Sequence, residues 1–268
     1  MPVPLDITGK TRVFGVISDP IAHVRAPAVY NPVFEARGID AVLIPVHVTP
    51  EDLPAAVAGF KAQRSLYGLC VTVPHKVALM QLCDEVGEQG RLVGAVNAVR
   101  FTDDRRMVGE NFDGQGFVAG MRAEGFEVTG KSVLQLGAGG AGMAIAYALA
   151  ASGVSRLVIA NRTRAKAEEL AANVSAAYPS VPVEAGEPDP SGFDIAVNAT
   201  SLGLAEGDAL PLDPGKLAPK TVLAEIVMIP ETTALISAAL DRGCRVHYGR
   251  HMLDKQIDLM GDFIGATS

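Results

Sequence analysis

Four short stretches carry residue types that can do chemistry together. Leu134-Gln135-Leu136-Gly137-Ala138-Gly139-Gly140-Ala141-Gly142 is an apolar strand running into G-x-G-x-x-G and then a helix. In that context Gly137 serves a tight turn, Gly139 close backbone approach by a pyrophosphate, and Gly142 helix–strand contact. The helix N-terminus offers free N–H groups to the anion. A merely flexible turn would not need three glycines at this spacing, so the loop predicts a dinucleotide site. Val71-Thr72-Val73-Pro74-His75-Lys76 sets a lysine just past a strand end, where open α/β sheets carry ligands. Asn111-Phe112-Asp113-Gly114-Gln115-Gly116 supplies a carboxylate, and Gly94-Ala95-Val96-Asn97 a side-chain amide. Singly, Lys76 reads as a surface lysine, Asp113 as a helix cap and Asn97 as a turn residue. Together, beside a dinucleotide loop, they read as a catalytic constellation.

The end of the following strand discriminates between cofactors. NAD sites place Asp or Glu there, about 20 residues on, to hold the ribose 2′-OH. Here Asn161-Arg162-Thr163-Arg164-Ala165-Lys166 has no acid before Glu168. Three cations opening a helix oppose its dipole by roughly 0.3–1 kcal/mol each. A bound 2′-phosphate resolves that conflict, so NADP is the expected cofactor.

Short apolar runs alternate with helical patterns along nearly the whole chain, the mark of an α/β fold with a mainly parallel sheet. Strands are expected over 11–17, 41–48 and 69–73, with a helix over 27–37 stopped at Gly38. Thr49-Pro50-Glu51-Asp52 reads as a helix start, with threonine as N-cap and proline at the first helical position. Residues 95–101 and 107–110 form a hairpin over Asp103-Asp104. The second series places helices over 117–123, 141–151, 165–177 and 233–242, strands over 132–136, 156–160, 195–198 and 222–227, and an amphipathic helix over 252–263. The passage 184–192 reads as a surface loop. Two α/β halves meet near Asn111 to Gly116, and the cleft between them is the expected site.

Composition excludes several other classes. The chain has 268 residues, enough for one large or two modest domains. Its 49% hydrophobic and 20% charged residues suit an ordered protein. A net charge of −7, 5% aromatics and no tryptophan argue against a nucleic-acid binder. Three cysteines, without a C-x-x-C pair, fit neither a disulfide scaffold nor a thiolate zinc site and suit a reducing cytoplasm. No metal is expected. The uncharged run from Ser132 to Ser155 is interrupted by clustered glycines, unlike the about 20 continuous apolar residues of a membrane span. Met1-Pro2-Val3-Pro4-Leu5-Asp6 has neither a basic nor an apolar leader region, so no signal peptide is read.

The chain resembles the shikimate dehydrogenase family. The resemblance rests on Asp19-Pro20-Ile21-Ala22-His23, the Thr72–Lys76 and Asn97 segments, Asn111–Gly116, the Gly137–Ala141 loop and Asn161-Arg162-Thr163. It continues through Asn198-Ala199-Thr200-Ser201-Leu202-Gly203 and Gly249-Arg250-His251-Met252-Leu253-Asp254-Lys255-Gln256. These stretches occur in the family order and cover almost the whole chain. The resemblance implies a substrate-binding and catalytic domain, 1–112 plus 249–268, and an NADP-binding Rossmann domain, 113–248. It implies reversible reduction of 3-dehydroshikimate to shikimate, in aromatic amino acid biosynthesis. Lys76 and Asp113 would be the catalytic pair, while Thr72, Asn97 and Gln256 would hold ring hydroxyls. Gly137, Ala138, Gly139, Gly140, Ala141, Asn161, Arg162, Thr163, Arg164, Lys166, Ile226 and Gly249 would contact the cofactor. The partner is a small cyclic hydroxy acid; a homodimer is compatible with the sequence.

Departures from the family pattern fall at one corner. The family's Ser-x-Ser after the histidine, which binds the substrate carboxylate, is Val24 and Ala26 around Arg25. Its tyrosine before Pro-x-x-Thr is Met228, and its Asn-Thr-Asp is Asn111-Phe112-Asp113. Hydrogen bonds to a charged group contribute about 1.5–3 kcal/mol each, so shikimate itself should bind more weakly. Arg25 is the candidate replacement anchor, because guanidinium grips carboxylates bidentately. Three readings therefore stand: shikimate dehydrogenation, action on quinate, aminoshikimate or another hydroxy acid, and a non-catalytic NADP(H)-binding module.

Overall fold

The structure, a computed structural model, describes residues 7–22 and 24–267. The leader reading on residues 1–6 and His23 of the Asp19–His23 motif lie outside the described residues. The chain forms two compact units, Met1–Phe112 with Ile257–Ser268, and Asp113–Gln256.

The first unit contains, in order, β1 Arg12–Ser18, α1 Ala26–Arg37, β2 Ala41–His47, α2 Leu53–Ala62, β3 Leu66–Val71, α3 Lys76–Leu82, β4 Glu85–Val86, α4 Glu88–Val93, β5 Ala98–Phe101 and β6 Met107–Glu110. Its sheet runs β2-β1-β3-β5-β6-β4. β1 pairs in parallel with β2 and β3, while β5 lies antiparallel to both β3 and β6. α1 stops at Gly38 in the left-handed conformation, as glycine allows. The start of α2 differs from the sequence expectation. Thr49 accepts the Asp52 N–H in a turn instead of capping a helix, and α2 begins at Leu53 with Pro54 in its first turn. Arg105 reaches back from the hairpin and donates to the carbonyls of Phe60, Lys61, Gln63 and Leu66 at 2.7–3.0 Å, serving the end of α2.

The second unit contains α5 Asp113–Ala123, β7 Ser132–Leu136, α6 Gly140–Ala151, β8 Arg156–Ala160, α7 Arg164–Ala177, β9 Val183–Ala185, β10 Ile195–Asn198, β11 Val222–Glu225, α8 Ala234–Asp241 and β12 Arg245–His247. Residues 183–185, inside the stretch expected as loop, pair with β8. The sheet is β12-β11-β10-β7-β8-β9, all parallel. Parallel strands covered on both faces need continuous apolar runs; Val133, Leu134, Leu157, Ile159, Ala196 and Val197 are all buried. Chain order reverses between β7 and β10, so the switch point, where such sheets bind ligands, lies there.

The last helix, α9 Gly249–Ile264, is shared. The sequence places 249–268 with the first domain, but residues 249–256 cluster with the second unit. There Gly249 lies against the Ile226 and Val227 carbonyls and Gln256 against Gly116. From Ile257 onward the helix belongs to the first unit: its Ile257 carbonyl accepts from the Tyr30 hydroxyl at 2.7 Å, and Ile264 covers Gly68. No helix among the described residues is long and apolar enough to cross a membrane.

Gly114 shows how tightly α5 is seated on α6. A Cβ there would collide with the Ala144 carbonyl and approach the Ala148 methyl. Overpacking costs about 1–3 kcal/mol, more than the up to about 1 kcal/mol that alanine adds to a helix. Gly114→Ala should therefore lower the urea midpoint of unfolding with an unchanged m-value.

Candidate active site

The loop after β7 is shaped from beneath. Gln135 is fully buried, and its amide donates to the Gly137 and Gly142 carbonyls at 2.9 and 2.8 Å, closing the turn. Gly137 has φ +107°, and a Cβ on it would lie 2.6 Å from the Ala199 carbonyl; one on Gly142 would lie 2.5 Å from the Gly137 carbonyl. Gly139 and Gly140 instead face open space and are exposed. α6 starts there without a side-chain cap, so its first-turn N–H groups are available to an anion. A cradle crowded below and open above fits a dinucleotide phosphate.

The segment after β8 closes one side. Asn161 accepts the Ala138 N–H at 3.2 Å and donates to the Thr163 carbonyl at 2.9 Å, tying the two loops together. Thr163 is the N-cap of α7. Arg164 is engaged by Glu168 at 2.9 Å and Glu187 at 3.0 Å, which holds its pKa up. Arg162 and Lys166 are exposed, and among the described residues neither has an acidic partner. The sequence weighs the three cations equally; in the structure only Arg164 has acidic partners among the described residues.

In the first unit the candidate residues are laced together through their backbones. Val71 N–H donates to the Asn97 carbonyl at 2.7 Å, Val96 N–H to the Lys76 carbonyl at 3.0 Å, and His75 N–H to the Thr72 carbonyl at 3.0 Å. Lys76 opens α3, a helix absent from the sequence expectation. Asn97 is buried and its side-chain oxygen accepts the Phe112 N–H at 3.0 Å. Asp19 N–H donates to the Val73 carbonyl, joining the β1 end to this group. Val24 and Ala26 are half-buried, and Arg25 is exposed at the N-cap of α1.

In the second unit Asp113 opens α5, buried, and accepts a hydrogen bond from Gln256. Gln256, expected on the substrate ring, thus has a carboxylate partner in its own unit. Ile226 and Gly249 are adjacent, while Met228 beside them is exposed. Sequence reasoning missed Gln135 and Glu225. A polar residue inside an apolar strand was the available signal for both.

Residues 16–99 match the shikimate dehydrogenase substrate binding domain, and residues 119–203 match the Shikimate / quinate 5-dehydrogenase family. A Geobacter metallireducens protein named shikimate dehydrogenase (NADP(+)) is 38% identical over 260 residues, covering 94% of this chain and 90% of its own. The chain belongs to the shikimate dehydrogenase family. Among solved structures, the ligand-free 5-ketofructose reductase of Gluconobacter sp. strain CHM43 is 34% identical. It has a TM-score of 0.89 and covers 96% of this chain and 93% of its own. A shikimate dehydrogenase in complex with NADP+ is 31% identical, also with a TM-score of 0.89, covering 96% and 91%.

In this family member α5, the helix that Asp113 opens, rests against a buried histidine. His247 at the end of β12 is fully buried between the rings of Phe117, Phe126 and His251, with neither ring nitrogen hydrogen-bonded. Arg245 stacks on Phe126, and Glu124 lies 3.9 Å from His251. Burial, reinforced by His251, lowers the His247 pKa to about 3. Between its unfolded value of about 6.5 and that point, only the unfolded chain takes the proton, so stability falls as pH falls. Urea unfolding from pH 6 to 4 should show a loss approaching about 1.4 kcal/mol per pH unit, largely absent in His247→Phe.

Proposed function

We propose that this chain is an NADP(H)-dependent dehydrogenase that interconverts a ring ketone and its alcohol, with 3-dehydroshikimate and shikimate as the reference pair. The observation carrying the reading is the open cradle at Gly139 and Gly140 with Arg162 and Lys166 uncommitted beside it. The full-length likeness to proteins named shikimate dehydrogenase (NADP(+)) supports the substrate class. Gly137 to Ala141, Asn161, Thr163, Ile226 and Gly249 would hold the cofactor, which when bound supplies or accepts the hydride. Reduction leaves an alkoxide that needs a proton. Lys76 is the proposed donor, since a lysine ammonium presents N–H groups that can pass a proton to the developing alkoxide. Asp113, fixed by Gln256, is the carboxylate that completes the acid–base chemistry, and Thr72 and Asn97 orient hydroxyls. The free thiols of Cys70, Cys83 and Cys244 support a cytoplasmic setting.

A second substrate reading is favoured by the apolar Val24, Ala26 and Met228 together with the likeness to 5-ketofructose reductase. A corner without carboxylate-directed hydroxyls suits an uncharged polyhydroxy ketone. NADPH oxidation with 3-dehydroshikimate and with 5-ketofructose decides between them by kcat/KM. On the better substrate, Lys76→Ala should lower kcat by about 10²–10⁴-fold with much less change in KM. Turnover of neither compound would remove the proposed substrate class, and near-normal kcat in the variant would remove Lys76 as donor.

Cofactor choice has its own test. A hydrogen bond to a charged phosphate contributes about 1.5–3 kcal/mol. Arg162→Ala should therefore raise the KM for NADP+ at least roughly tenfold and leave that for NAD+ nearly unchanged. Equal losses with both would contradict 2′-phosphate recognition.

A further inference from the structure

Glu225, at the carboxyl end of β11, is fully buried and surrounded by donors. Its Oε1 accepts from the backbone N–H groups of Ile226 at 2.9 Å and Val227 at 3.0 Å. Both carboxylate oxygens face the Asn198 amide at 2.9–3.0 Å, and Oε2 accepts from the Thr233 hydroxyl at 3.4 Å. Asn198 passes the connection on. Its side-chain oxygen accepts the Thr200 hydroxyl at 2.7 Å and the Thr200 N–H at 3.1 Å, and its amide also donates to the Leu202 carbonyl. The segment so held, Ala199-Thr200, is the wall against which Gly137 turns. On the other side, the Ile226 and Val227 carbonyls form the surface on which Gly249 sits.

We infer that Glu225 is a positioning residue for the dinucleotide site: through Asn198 it sets the 199–203 loop, and through two backbone N–H groups it sets residues 226–228. Both segments lie at the carboxyl ends of strands on one side of the switch point between β7 and β10. This rests on the reading of the second unit as the NADP(H) site. Burial pushes the Glu225 pKa up, and the surrounding donors hold it down. All four partners donate, so the arrangement needs an acceptor-only group. An amide at this position would turn an N–H toward the donor-only nitrogen of Asn198 and leave the two opposed, whereas the Thr233 hydroxyl could rotate to accept.

The test uses the full-length protein with NADP+ alone, read by titration calorimetry and by hydrogen exchange of the unliganded chain. Glu225→Gln should weaken NADP+ binding at least tenfold and speed exchange in 199–203 and 226–228 while α6 stays protected. Glu225→Asp, which keeps an acceptor-only carboxylate, should recover affinity to within threefold. Thr200→Val, a near-isosteric change further along the connection, should weaken binding at least threefold. Wild-type affinity in Glu225→Gln, or faster exchange spread evenly over the second unit, overturns the proposal. If Glu225→Gln does not fold, wild-type affinity in both Thr200→Val and Thr233→Val overturns it. If the wild-type protein gives no binding signal, the dinucleotide reading fails. Exchange localised to the two segments then upholds the clamp, and uniform exchange refutes it.

Discussion

The second sheet can reverse its winding because only a hydrogen atom stands on Gly137 where it faces the Ala199 carbonyl. Any side chain would push apart the ends of β7 and β10, the two strands between which the order switches. From that contact the rest of the nucleotide side follows. The Gln135 amide can reach both shoulders of the turn, α6 starts without a side-chain cap, and Gly139 and Gly140 at its start border open space. Asn161 then has a neighbouring backbone N–H to accept, which brings the Arg162 segment alongside.

Two buried titratable groups in this unit are treated in opposite ways. Glu225 sits among hydrogen-bond donors that compensate for its desolvation, whereas His247 sits among rings that offer it no hydrogen bond. Burial favours the uncharged form of each, raising the carboxyl pKa and lowering the imidazole pKa. The carboxyl is therefore useful as a connector, because its oxygens can gather several chain segments. The imidazole acts as an apolar ring beside α5, and its polar atoms gain nothing in the folded state.

Much of this architecture was legible because parallel strands buried on both faces leave unbroken apolar runs. Residues 132–136, 156–160 and 195–198 are strands with the expected limits. The misreadings have local causes. Thr49-Pro50-Glu51-Asp52 is as good a turn as a helix start, and the true start at Leu53 carries its own proline. α3, α4 and β12 are too short to show a period. At the site, the glycine loop was legible because backbone geometry restricts residue choice there. Gln135 and Glu225 showed only as polar residues inside apolar strands; that Gln135 bridges the turn, and that Glu225 meets Asn198 from the neighbouring strand, appears only once the chain is folded. The division within α9 was invisible for a related reason: the helix is continuous, and only its neighbours change at Ile257.

That division has a consequence for how the chain is made. The first unit draws on both ends of the sequence, since Tyr30 and Gly68 are covered by residues 257–264. The second unit is one uninterrupted segment. Domains usually complete in the order they leave the ribosome. Here the segment encoded second has all its residues available first. The N-terminal unit must wait, with the surface meant for α9 uncovered, until residues 257–264 emerge.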